Sequence, residues 1–104
     1  MDEDSRVMNL QPTETVLIGQ WRIEGGRIIA DATCERIEYL TRGVLREIAR
    51  DASGWDVLFR DPNDGRLWEL TYPKSEMHGG GPPQLKCVSA DDAGLKYRDA
   101  VKPG

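Results

Sequence analysis

Residues 55–72 read Trp55-Asp56-Val57-Leu58-Phe59-Arg60-Asp61-Pro62-Asn63-Asp64-Gly65-Arg66-Leu67-Trp68-Glu69-Leu70-Thr71-Tyr72. This stretch decides the fold. Trp55, Val57 and Phe59 alternate with Asp56, Leu58 and Arg60, and Trp68, Leu70 and Tyr72 alternate with Leu67, Glu69 and Thr71. A period of two marks a strand with one buried face. The six residues between the runs carry turn chemistry. Pro62 suits the first corner of a type I turn, and Gly65 suits a left-handed bulge position. The stretch therefore reads as two half-buried strands joined by a turn. Trp21, Trp55 and Trp68 sit among alternating apolar residues and are expected in the core.

Upstream, Val44 to Arg50 reads as a strand, because Thr41-Arg42-Gly43 looks like a boundary. The competing reading is helix, since Val44 and Ile48 also continue a helical stripe. That stripe starts at Asp31, a good N-cap, and places Cys34, Ile37 and Leu40 on one face as far as about Arg42. Glu38 and Arg42 can pair along it, and Gly43 is a plausible stop. Before it, Gly25-Gly26 forms a two-residue hairpin turn between Val16–Glu24 and Arg27–Asp31. The register pairs Glu24 with Arg27 and Ile23 with Ile28.

Downstream, Pro73 ends the sheet run. Lys74 to Pro83 is a loop and Gln84 to Val88 a short strand. Ser89, with Asp92 three residues on, opens a last helix to about Asp99. Residues 1–11 read as a flexible arm, 12–100 as a single domain and 101–104 as a tail. The sum is an α+β fold, a mostly antiparallel sheet of five or six strands with two helices, expected on one face.

The chain has 104 residues, with 14 basic and 18 acidic side chains and a net charge of −4. That length supports one core without disulfides or a metal. There is no apolar run near the length of a membrane span. The acidic start Met1-Asp2-Glu3-Asp4-Ser5-Arg6 resembles neither a signal nor a transit peptide. A cytoplasmic location follows, with Cys34 and Cys87 as free thiols. Ten arginines are scattered among acids, so no nucleic-acid partner is expected. The mild acidity is compatible with a basic partner, although it also simply serves solubility.

The remaining motifs are weak as chemistry. His78-Gly79-Gly80-Gly81 resembles an oxyanion loop, but no serine sits in a G-x-S-x-G elbow. Asp61, Asn63 and Asp64 precede Gly65 one place too early for a calcium loop, and Tyr72 stands where a glutamate is needed. Cys34, Cys87, Glu76 and His78 lack zinc spacing. No cofactor and no metal are expected. Glu76 and His78 could serve as an acid–base pair in a small metal-independent enzyme. The three glycines maximise the entropy lost on ordering. The loop is then either a buttress whose backbone passes close to the sheet or an exposed contact surface.

One resemblance covers roughly residues 10 to 97. It is carried by Asp64-Gly65-Arg66, then Trp68-Glu69-Leu70-Thr71-Tyr72-Pro73, then Ser75-Glu76-Met77-His78-Gly79-Gly80-Gly81-Pro82-Pro83. Weaker upstream matches are Pro12-Thr13-Glu14-Thr15-Val16-Leu17-Ile18-Gly19, Cys34-Glu35-Arg36-Ile37-Glu38-Tyr39-Leu40 and Ser53-Gly54-Trp55. Together they resemble the immunity protein 27 family of bacterial polymorphic toxin systems. The resemblance implies a cytoplasmic, non-enzymatic protein that binds and neutralises a cognate toxin domain, with a monomer expected. It marks Asp64, Arg66, Glu69, Tyr72, Glu76, His78, Gly79, Gly80 and Gly81 as partner-binding candidates. A general protein-interaction module is the other non-enzymatic reading.

Overall fold

The structure, a computed structural model, describes residues 9–75 and 80–97. The elements follow in the order β1 (Val16–Ile18), β2 (Trp21–Glu24), β3 (Arg27–Ala30), α1 (Ala32–Gly43), β4 (Arg46–Arg50), β5 (Val57–Arg60), β6 (Leu67–Thr71), β7 (Gln84–Val88) and α2 (Ala90–Tyr97). The expected α+β class holds, with a five-stranded antiparallel sheet in the order β1-β7-β6-β5-β4 and a separate two-stranded sheet β2-β3. None of the described helices is long and apolar enough to cross a membrane.

The turn between β5 and β6 forms as its chemistry requires. The Asp61 side chain accepts from Asn63 N at 2.8 Å. The backbone closes with Gly65 N to Asp61 O at 2.7 Å and Asp61 N to Arg66 O at 2.9 Å. Gly65 has φ +80°, in the left-handed region that favours glycine. The register that results sets Phe59 against Trp68 and Val57 against Leu70. At the other hairpin, Glu24 lies opposite Arg27 and Ile23 opposite Ile28, as the Gly25-Gly26 turn dictates.

Four expectations change. The run from Val16 to Glu24 is two strands, broken at Gly19-Gln20. Gly19 N donates to Pro83 O at 2.9 Å, and a Cβ on Gly19 would stand 2.7 Å from both Cys34 Sγ and Pro83 O. The chain there passes too close to its neighbours for any side chain.

The two helices cover opposite faces of the sheet. Ile37 and Leu40 of α1 pack with Leu17, Leu45, Val57, Phe59, Trp68 and Leu85. Ala93 and Tyr97 of α2 pack on the other face with Ala49 and Leu58. The third change follows from this. β5 is covered on both faces, and Val57, Leu58 and Phe59 are all buried. Alternation in β5 therefore sorts residues between two cores, not between core and solvent.

The fourth change concerns the tryptophans. Trp68 is fully buried, Trp21 is half-buried, and Trp55 is 58% exposed. Trp55 precedes the first paired residue of β5, so it escapes the pleat that its sequence alternation suggested.

Capping and ion pairs fasten these elements. The Asp31 side chain accepts from Cys34 N at 2.9 Å and caps α1. The helix stops without a left-handed residue, Val44 and Leu45 N both donating to Leu40 O. β4 follows, with a bulge between Glu47 and Ala49. Ser89 Oγ accepts from Asp92 N at 3.1 Å and opens α2. At its other end α2 is latched to the sheet. Tyr97 OH donates to Glu69 at 2.7 Å, and Lys96 Nζ lies 2.5 Å from Glu69 and 2.6 Å from Asp56. Burial, and then the Glu69 carboxylate, push the Tyr97 hydroxyl far above its ordinary pKa, so it stays a donor.

Candidate functional site

Strand β6 delivers Tyr72 at the end of the sheet, just before Pro73. Trp55 meets it edge-on, with ring centroids 5.7 Å apart and an interplanar angle of 80°. That geometry is the favoured one for an aromatic pair. Trp55 is placed there by the loop before β5. Asp51 Oδ1 accepts from Ser53 Oγ at 2.7 Å, Gly54 N at 3.0 Å and Asp56 N at 3.3 Å. Ser53 Oγ in turn accepts from Trp55 N at 3.1 Å. The Ser53 hydroxyl is the chief cause that holds the Asp51 carboxyl below its ordinary value. The loop thus folds around one carboxylate and turns the indole outward.

The aromatic pair stands as a ridge among three concavities. One, of about 400 Å³, lies between α1, the base of the β2-β3 hairpin and Tyr72, with Trp21, Glu38 and Arg42 in its wall. The second, of about 310 Å³, lies beside β4 and is bounded by Trp55, Glu47 and Arg50. The third, of about 400 Å³, lies on the far side of the ridge against Ser53, Asp56 and Ser75. The charges near the first two are already matched. Glu38 and Arg42 are 3.1 Å apart, and Arg50 makes two 2.9 Å hydrogen bonds to Glu47. Between these polar walls, the ridge itself offers a ligand exposed aromatic area.

The β2-β3 hairpin extends that area. Its register puts Trp21, Ile23, Ile28 and Ala30 on one side. Trp21 and Ala30 line the first concavity. Ile23 and Ile28, nearer the tip, are 78% and 54% exposed. Large apolar side chains that cluster in the open mark binding surfaces more often than isolated ones do.

The nine sequence candidates fall in separate places. Tyr72, Gly80 and Gly81 lie at the ridge. Gly80 has φ +90° and faces Trp55, which a Cβ would approach to 3.7 Å. Gly81 has φ +77°, and a Cβ there would meet Lys74 O at 2.3 Å. Its glycine is a packing requirement. Asp64 and Arg66 sit at the opposite end of β6, 2.7 Å apart. Arg66 also donates to Glu14 O at 2.7 Å and Gln11 O at 3.1 Å, and lies 4.9 Å over the Trp68 ring. It binds the segment before β1 to the turn. Arg66, first through its backbone N–H and then its guanidinium, holds the Asp64 carboxyl below its ordinary value. Glu69 lies on the α2 face, where it holds Tyr97 and Lys96. Glu76, His78 and Gly79 lie outside the described residues.

Trp55, Trp21, Ile23 and Ile28 were not among the candidates. A signal for Trp55 was present in Ser53-Gly54-Trp55, where Gly54 adopts φ +80° immediately before the indole. A signal for the isoleucines was their place beside the Gly25-Gly26 turn, among the charged residues Arg22, Glu24 and Arg27. Among the described residues no group of three or more His, Cys, Asp or Glu could hold a metal ion, and both cysteines are free.

The sequence model described as immunity protein 27 matches residues 23–89. That span runs from the hairpin through α1 and β4 to the end of β7, and leaves β1 and α2 outside. No curated protein and no solved structure matches the chain.

Proposed function

The chain belongs to the immunity protein 27 family, and we propose that it is a bacterial, cytoplasmic immunity protein that binds and neutralises a cognate toxin domain. The family match carries this reading. The action is stoichiometric and non-enzymatic: the protein occludes the toxin's working surface or holds it in an inactive form. The ridge of Trp55 and Tyr72, with Trp21, Ile23 and Ile28 beside it, is the contact surface we favour. Aromatic side chains on a rigid frame bury much area at little entropic cost, and binding energy concentrates in such anchors. A monomer suffices for this task. A basic toxin, a nuclease among them, suits the net charge of −4.

An interface of about 1,600 Å² supports affinity of about nanomolar. Titration of toxin activity with this protein should then break at one equivalent. Complete loss of toxin activity at a small fraction of an equivalent would assign an enzyme instead.

A further inference from the structure

The bulge in β4 produces an unusual juxtaposition. Arg50 lies opposite Val57 and Ala49 opposite Leu58, but the register then slips, so that Glu47 faces Phe59 and Arg46 faces Arg60. Strict alternation from Arg50 would place Arg46 on the same face as Arg50. The extra residue turns it to the other face, directly across from Arg60. Bulges re-aim side chains in this way. Both arginines are exposed. Like charges directly opposite each other destabilise a sheet.

The fold does not neutralise this pair. Arg22, Arg36, Arg42, Arg50 and Arg66 each have a carboxylate within 4.0 Å. Arg27 sits opposite Glu24 in the hairpin register. Among the described residues, no carboxylate lies within ion-pair distance of Arg46 or Arg60. Two arginines thus lie opposite each other across β4 and β5, with no carboxylate partner among the described residues.

We propose that Arg46 and Arg60 form a carboxylate-binding site that receives an acidic side chain of the partner protein. This rests on the toxin-binding reading and names a contact within it. Guanidinium forks match carboxylates bidentately, and such pairs are strong and directional. A phosphate backbone is the less suitable occupant. The chain is net negative, and nucleic-acid affinity needs many phosphate contacts. Moreover, Val88 lies beside Leu67 and Leu67 beside Arg60 in the register, so α2 opens near this face with Asp91 and Asp92 in its first turn. Those carboxylates repel any anion, and the repulsion grows with the number of charges brought to the site, so it weighs more against a polyanion than against a single carboxylate. The site lies on the other face of the edge strand from the second concavity, at the end of β5 away from Trp55. Glu47 and Arg50 line the second concavity on one face of β4, and Arg46 presents on the other. A partner seated on the ridge and wrapped around this edge strand reaches both.

The test is calorimetric titration of the cognate toxin domain into the protein and its Arg46→Gln, Arg60→Gln and double variants, at two salt concentrations. Each single change should weaken binding by tenfold or more, and the double variant should lose most of the salt dependence. Melting temperatures should hold or rise, because a like-charge pair has been relieved. Lysine at both positions should restore part of the affinity. Unchanged toxin affinity in the double variant overturns the site. So does a marked loss of melting temperature, which would make the arginines structural. Binding of a labelled single-stranded RNA that the double variant abolishes would reassign the pair to phosphate. If the unsubstituted protein does not bind the toxin domain at all, the toxin reading falls and this site with it.

Discussion

Trp55 and Trp68 make a controlled pair, because one chemistry occupies two environments. Trp68 is 0% exposed and central to the main core, whereas Trp55 is 58% exposed on the ridge. Truncating a buried tryptophan to alanine costs roughly 3–5 kcal/mol, so Trp68→Ala should leave little folded protein. Trp55 loses its edge contact with Tyr72, worth about 0.5–1.5 kcal/mol, and a modest further area. A cost of about 1–2 kcal/mol is expected, or about 4–16 °C in melting temperature for a domain of this size. Binding should respond more strongly. A tryptophan side chain can bury up to about 250 Å². With 58% still open, roughly 140 Å² remains for a partner to cover, worth up to about 3.5 kcal/mol. Part of that is spent on ordering the interface, leaving about 2–3 kcal/mol, or about 30- to 150-fold in Kd. Urea unfolding followed by toxin titration of the folded protein measures both numbers. If Trp55→Ala is as destabilising as Trp68→Ala, or binds toxin with unchanged affinity, the assignment of the ridge is wrong.

Gly81→Ala should be destabilising by about 2 kcal/mol or more, since it adds strain at positive φ to a 2.3 Å approach to Lys74 O. A thermal melt matching the unsubstituted protein would refute that geometry. Glu14 makes hydrogen bonds of 2.6 and 2.8 Å to Arg36, which hold its carboxyl below the ordinary 4.5. A depressed carboxylate contributes stability that is present above its unfolded value and lost as pH falls through the folded one. Stability should therefore decline below about pH 4.5, and Glu14→Gln should lose about 1 kcal/mol at neutral pH and flatten that acid slope. An acid profile identical in the two proteins would exclude the pair as a contributor. Melting with and without reductant should coincide, because Cys34 and Cys87 are both free; a large drop with reductant would indicate a disulfide.

Much of the architecture was legible because local rules and tertiary packing agree. Asp31 caps, Gly25-Gly26 turns, and Pro62 with Gly65 sets the β5-β6 register, each through backbone chemistry that needs no distant partner. The side of the sheet that each helix covers depends on where the connecting loops lead, and no local period encodes that. α2 carries only Ala93 and Tyr97 as buried residues over eight positions, too faint a stripe to announce a second core. Of the nine candidate residues, Tyr72, Gly80 and Gly81 come together at the ridge. Arg66 and Glu69 lie elsewhere and meet internal partners supplied by residues far away in sequence, Glu14 and Tyr97 among them, which no local pattern encodes. Trp55 was misassigned because alternation continues one step beyond the residues that pair.

The place of β1 at the edge of the sheet bears on the order in which the molecule assembles. β4 to β7 form a meander of neighbours in sequence, so their pairing closes only short loops. β1 instead lies against β7, Val16 facing Lys86 across most of the chain. Closing so long a loop is entropically costly and offers a return only after β7 is in place. The strand is therefore expected to join last, and the two arginines that grip the chain ahead of it, Arg36 at Asn9 O and Glu14 and Arg66 at Gln11 O and Glu14 O, would act as the clasp on a belt already wound. The main core, which needs Leu17 from that strand, is complete only when the clasp shuts.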